Sequence, residues 1–165
     1  MRMRSATLIA IAAAGLSASA WGATESGQPT VPCTDIIGQA VTGRDAGYRV
    51  VLGVVSVPPT RLTQVVRSSD TRWPFWRKAG LVIRASSTPV VVSVPRRWRE
   101  RVAITWGNNA GIVSSLRIAA CPRPRNRWNA YAGGFYLRSR AACVPLAFRV
   151  GSRARTVRFA IGGVC

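Results

Sequence analysis

The sequence predicts an all-β fold, an antiparallel β-sandwich (Ig-like or related) of about seven to nine strands, with a β-barrel as the runner-up. Three observations carry this. Apolar side chains recur at every second position in most segments between Tyr48 and Ile161, turn-forming clusters separate those segments, and no stretch shows the apolar stripe of a helix. A strand that alternates in this way buries one face and wets the other, the pattern of half-buried antiparallel sheet.

Met1-Arg2-Met3-Arg4 is a basic opening, and Ala6 to Ala20 is apolar and Ala-rich. Together they read as a secretory signal peptide over residues 1–20. Ala18-Ser19-Ala20 places small residues ahead of a cut before Trp21, with a cut after Gly22 as the alternative. The run is shorter than the ~20 apolar residues a bilayer span needs, which disfavours the alternative of an uncleaved anchor, and no later stretch is long and charge-free enough to span, so no transmembrane span is expected after cleavage. Residues 21–47 are read as a flexible N-terminal segment, because residues 21 to 32 are rich in Gly, Thr, Ser and Pro without periodicity, and residues 48–165 as a single β-sandwich domain.

Within that domain Tyr48, Val50, Leu52 and Val54 alternate with Arg49 and Gly53, and Leu81, Ile83 and Ala85 with Val82 and Arg84. Val90, Val92 and Val94 make the next apolar face, then Val102, Ile104 and Trp106, then Leu116, Ile118 and Ala120, then Phe135 and Leu137. The cleanest strands come last, Val144 to Val150 with Arg149 facing out and Val157 to Ile161 with Arg158 facing out. Thr60 to Val66 fits a short helix or a further strand. Turn clusters at Ser86 to Pro89, Gly107 to Gly111, Pro122 to Asn126 and Gly151-Ser152 separate the runs.

Cys33, Cys121, Cys143 and Cys165 are an even set in a chain read as exported, so two disulfides are expected. Three pairings are possible. Cys121–Cys143 with Cys33–Cys165 is favoured, since the first pair ends one strand and begins another and the second ties the chain ends. No C-x-x-C spacing and no histidine occur, so no metal site is expected.

The segments Trp128, Tyr131, Gly133-Gly134-Phe135-Tyr136, Cys143-Val144-Pro145-Leu146, Val150-Gly151 and Ile161-Gly162-Gly163-Val164-Cys165 resemble a family of small secreted actinobacterial β-domain proteins whose function is unassigned. The resemblance spans roughly residues 48 to 165 and its motifs are structural. It implies export and a β fold, and nothing about mechanism.

The formal charge is +19, with Glu25, Asp35, Asp45, Asp70 and Glu100 as the only acids and Lys78 the only lysine among 24 basic residues. Arg in place of Lys is a skew that a GC-rich genome would produce by codon usage, and such usage leaves the scarcity of acids unexplained. Such an excess attracts polyanions. In an antiparallel fold every second connection emerges at the same end of the sheet. By that rule Thr71 to Lys78, Pro95 to Glu100, Pro122 to Trp128 and Gly151 to Arg155 share one end, and Ser86 to Pro89, Gly107 to Gly111 and Arg138 to Ala142 the other. The first group makes an end rich in Arg and Trp, with Arg96, Arg97, Trp98, Arg99, Arg123, Arg125, Arg127 and Trp128 as candidate ligand-binding residues. Trp73, Trp76 and Trp106 are read as core or lid side chains.

Without histidine, Ser-His-Asp and Cys-His arrangements are excluded. The carboxylates are scattered rather than paired, Lys78 is the sole candidate for a Ser-Lys pair, and no G-x-S-x-G, phosphate-binding or dinucleotide motif occurs. The expectation is a protein without catalytic residues or cofactor. Its partner is read as an anionic cell-surface polymer or an envelope protein, and nucleic acid is disfavoured because no binding motif for it occurs. Two other readings are a structural or protein-interaction module with incidental charge, and a membrane-active cationic protein acting through Arg72-Trp73-Pro74-Phe75-Trp76-Arg77-Lys78.

Overall fold

One layer is built on a single long ladder. Phe75–Lys78 (β7) and Leu81–Arg84 (β8) run antiparallel to Gly133–Leu137 (β13) and Trp128–Tyr131 (β12) in one register, with Phe75 opposite Leu137, Lys78 opposite Gly134, Leu81 opposite Tyr131 and Arg84 opposite Trp128. The computed structural model describes residues 28–40, 43–44, 47–86, 88–122 and 127–165. The leader expected over residues 1–20 and its cleavage site lie outside these, as do Arg123 and Arg125. The ladder breaks at Ala79-Gly80 and Ala132, and two sheets share it as a spine. One sheet has the order β10 (Val102–Trp106), β13, β7, β6 (Val66–Arg67). The other is β2 (Gly38–Ala40), β12, β8, β4 (Val55–Val57), β3 (Arg49–Val51). The Trp106 indole N–H fixes the break by donating to the Ala79 carbonyl at 2.8 Å.

The facing layer is a six-stranded sheet in the order β1 (Thr30–Val31), β11 (Ser115–Ile118), β9 (Val90–Ser93), β14 (Ala142–Val150), β15 (Arg153–Ile161), β5 (Arg61–Leu62). All its pairs are antiparallel except β1 with β11 and β15 with β5 at the two edges. The described residues are thus all-β, with three sheets and no closed barrel among them. Inward-facing side chains of both layers form one core, and the Phe135 and Phe159 rings meet across it at 5.3 Å. Each is at most 1% exposed, and burying such a side chain contributes about 1.5–3 kcal/mol.

Fifteen strands among the described residues exceed the seven to nine expected, because the spine is broken and because several strands are only two or three residues long. Tyr48 to Val54 is not one strand. Leu52 (φ 53) and Gly53 (φ 75) turn the chain between β3 and β4, with the Val54 N–H donating to the Val51 carbonyl. Thr60 to Val66 contributes β5 and the start of β6, not a helix. Residues 28–40 belong to the fold rather than to a flexible N-terminal segment: β1 lies parallel to β11, β2 pairs with β12, and a 3-10 turn at Cys33–Asp35 joins them.

The disulfides are Cys33–Cys121 and Cys143–Cys165, not the favoured Cys121–Cys143 and Cys33–Cys165. Strand order gives the reason. β11 and β14 flank β9 and run in the same direction, so the end of one and the start of the other lie at opposite ends of the sheet. Val31 sits opposite Ile118, which carries Cys33 alongside Cys121. Cys143 sits opposite Ala160, and the chain turns back toward it at Gly162 (φ 68), where a Cβ would lie 2.0 Å from the Arg140 carbonyl oxygen.

Candidate functional site

Where β7 and β10 begin and β13 ends, three connections meet: Ser68 to Pro74, Pro95 to Arg101 and Arg138 to Ala141. The register requires it, since Leu137 pairs with both Phe75 and Val102. The Arg138 N–H donates to the Arg101 carbonyl at 3.0 Å, and the Ser68 N–H to the Pro74 carbonyl at 3.0 Å. A 3-10 turn at Arg96–Trp98 shapes the second connection, with the Trp98 N–H donating to the Pro95 carbonyl. The Asp70 carboxylate holds the first by accepting the Trp73 N–H at 2.8 Å.

All four cation–π contacts among the described residues lie here. The Arg72 and Arg138 guanidinium carbons stand 5.4 and 5.8 Å from the Trp73 ring centre, Arg101 5.6 Å from Trp98, and Arg67 5.3 Å from Phe75. Each contributes about 0.5–1 kcal/mol at an exposed site. Arg67, Arg72, Arg96, Arg97, Arg99, Arg101, Arg138 and Arg140 are all exposed, and among the described residues Asp70 and Glu100 are the acids of these connections. Arg72 meets Glu100 at 3.4 Å, but both side chains are well exposed (60% and 79%), and a pair so hydrated holds little of the charge. On the adjoining outer face Trp76 pairs across the strands with Tyr136, ring centres 4.6 Å apart, beside exposed Val66. Rings under or beside cations can accept a flat or apolar group while guanidiniums take its charges.

Of the residues expected at a shared end, Arg96, Arg97, Trp98 and Arg99 are here. Arg127 and Trp128 are not: Trp128 opens β12 at the far end of the spine, nine positions before Leu137, and the Arg127 carbonyl accepts the Ala85 N–H there. Trp128 is also buried, because Gly43 lies against its indole so closely that a Cβ would fall 2.8 Å from the ring. Arg138, expected at the opposite end, is at this one. The alternation rule fails at Val113, which makes a one-residue antiparallel bridge to Ile104 before the chain enters β11. That bridge is an extra return pass, and it exchanges the ends of every later connection. The β-branched Val113 just after the Gly107 to Gly111 turn is the only trace of it in the sequence.

Comparison with known families, curated proteins and solved structures finds no match. Among the described residues no helix is long and apolar enough to cross a membrane.

Proposed function

We propose that this protein is an exported, non-enzymatic binding domain that acts outside the cell or at its envelope and is held to anionic surface polymers by its arginine and aromatic end. The observation that carries the reading is the gathering of eight exposed arginines and every described cation–π contact at one end of the spine. Neutralising phosphates or carboxylates with guanidiniums needs no sequence readout, and the aromatic side chains favour polymers whose repeats carry a ring or an apolar face. Two disulfides support an oxidising compartment, and the Ala-rich leader supports export.

The test is retention on phosphocellulose over a salt series. Each phosphate contact contributes about 0.7–0.9 to the slope of log affinity against log salt, so Arg72→Gln, Arg101→Gln and Arg138→Gln together lower the slope by about 2–3. The same loss of charge placed elsewhere, Arg117→Gln, Arg127→Gln and Arg153→Gln, lowers it by less than half as much. Equal losses from the two sets would reduce the interaction to net charge and overturn the reading.

A further inference from the structure

The last strand has an open edge. β15 pairs with β14 from Arg153 to Ile161, but on its other side, among the described residues, only Ala160 and Ile161 are paired, to Arg61 and Leu62 of β5. The Ala160 N–H donates to the Thr60 carbonyl and the Gly162 N–H to the Leu62 carbonyl, so even-numbered residues turn their backbone groups to that side. The two-residue period of a strand then assigns the N–H and C=O of Ala154, Thr156 and Arg158 to the same, unpaired edge. Arg153 to Thr156 and Arg158 are exposed.

Facing this edge across a groove of about 450 Å³ is β3, itself the outer strand of its sheet. Arg49, Arg155 and Arg158 line the groove together with Leu52 and Thr156, and among the described residues no carboxylate does. At its lip Arg153 donates to the Leu52 carbonyl at 3.3 Å. The volume lies in the range of about 300–1,000 Å³ typical of binding pockets. An edge of this length is a template for another strand. A second copy is a poor occupant, since two such edges would set arginine against arginine. The same arginines favour a segment of opposite charge.

We propose that the open edge of β15 binds an acidic, extended peptide segment of a partner protein. The segment adds as a strand in the row that β5 begins, pairing its backbone with Ala154, Thr156 and Arg158 while its carboxylates meet Arg49, Arg155 and Arg158. This site is separate from the arginine and aromatic end, and it uses backbone amides that a polyanion without peptide groups cannot satisfy.

The probes are a synthetic octapeptide alternating Glu and Thr, the same peptide N-methylated at alternate residues, and inorganic polyphosphate, each added to the oxidised protein. The unmodified peptide slows amide exchange at Ala154, Thr156 and Arg158 and binds at least about tenfold more tightly than its N-methylated form, which keeps every charge and loses backbone donors. Polyphosphate leaves exchange at those amides unchanged. Thr156→Pro removes one outward N–H without removing a bond to β14, and it weakens the peptide about tenfold while sparing polyphosphate. Equal affinity of the two peptides for the unsubstituted protein, or exchange at the three amides that no peptide alters, overturns strand addition and leaves at most a charge-driven groove.

Discussion

At the scale of single residues, the polar groups inside the core are where pH acts on stability. Tyr131 is 1% exposed, on the inner face of β12, with its hydroxyl 3.6 Å from the Cys121 sulfur. Burial, and secondarily the charge of Asp35, push its pKa from 10.0 up to about 12. Below pH 10 the phenol is neutral in both the folded and unfolded chain, and the folded state has its full stability. As pH rises from 10 toward 12 the unfolded chain releases this proton while the folded one keeps it, so stability falls over that window. Denaturation midpoints measured between pH 9 and about 12 should therefore decline more steeply for the native protein than for Tyr131→Phe, which has no proton there to lose. Gly43 supplies a second prediction. Its backbone lies over the Trp128 indole with no room for a Cβ, so Gly43→Ala overpacks the site and costs about 1–3 kcal/mol in urea denaturation. Trp128 was a binding candidate from its Arg-rich neighbourhood in the chain. The covering segment is more than eighty positions away, and local sequence carries no sign of it.

At the scale of elements, the disulfides anchor the parts of the fold that alternation could not reveal. Nine-residue β14 and β15 were legible because enough alternate positions repeat to fix a face. β1 and β2 have two and three residues, too few for a period, and β1 pairs in parallel, which no turn in the sequence announces. Cys33 sits just after β1 and bonds Cys121 just after β11, so this bridge holds the N-terminal edge to the sheet. The two bridges close loops with sequence separations of 88 and 22. By loop closure, removing Cys33–Cys121 costs about 4–5 kcal/mol and removing Cys143–Cys165 about 3. Thermal or urea unfolding of Cys33→Ala/Cys121→Ala should show the larger loss, and peptide mapping without reductant should return these two linkages and no link between Cys121 and Cys143.

At the scale of the whole molecule, the placement of charge turns on one bridge. Counting strands from the sequence treated the stretch from Gly107 to Ser114 as a single reversal, whereas Val113 pairs back onto Ile104 and makes it two. Alternation marks β8 to β11 and β13 to β15, whereas β7 falls in a stretch that reads as a connection and β12 shows no alternation. What failed was the parity downstream, and with it the grouping of the Trp98 and Trp128 connections. This yields a distance prediction that no detail of side-chain packing can alter. Arg97 and Arg138 flank one end of the spine, tied by the bond from the Arg138 N–H to the Arg101 carbonyl, whereas Arg127 lies beyond the other end. A straight strand from Trp128 to Leu137 spans on the order of 30 Å at about 3.3 Å per residue. Spin labels carried on unnatural residues, which leave the disulfides intact, should give a short distance between positions 97 and 138 and one longer by on the order of 20 Å between 97 and 127. Similar distances, or the reverse order, would mean that Val113 does not return the chain, and the arginine and aromatic end would have to be assembled from different connections.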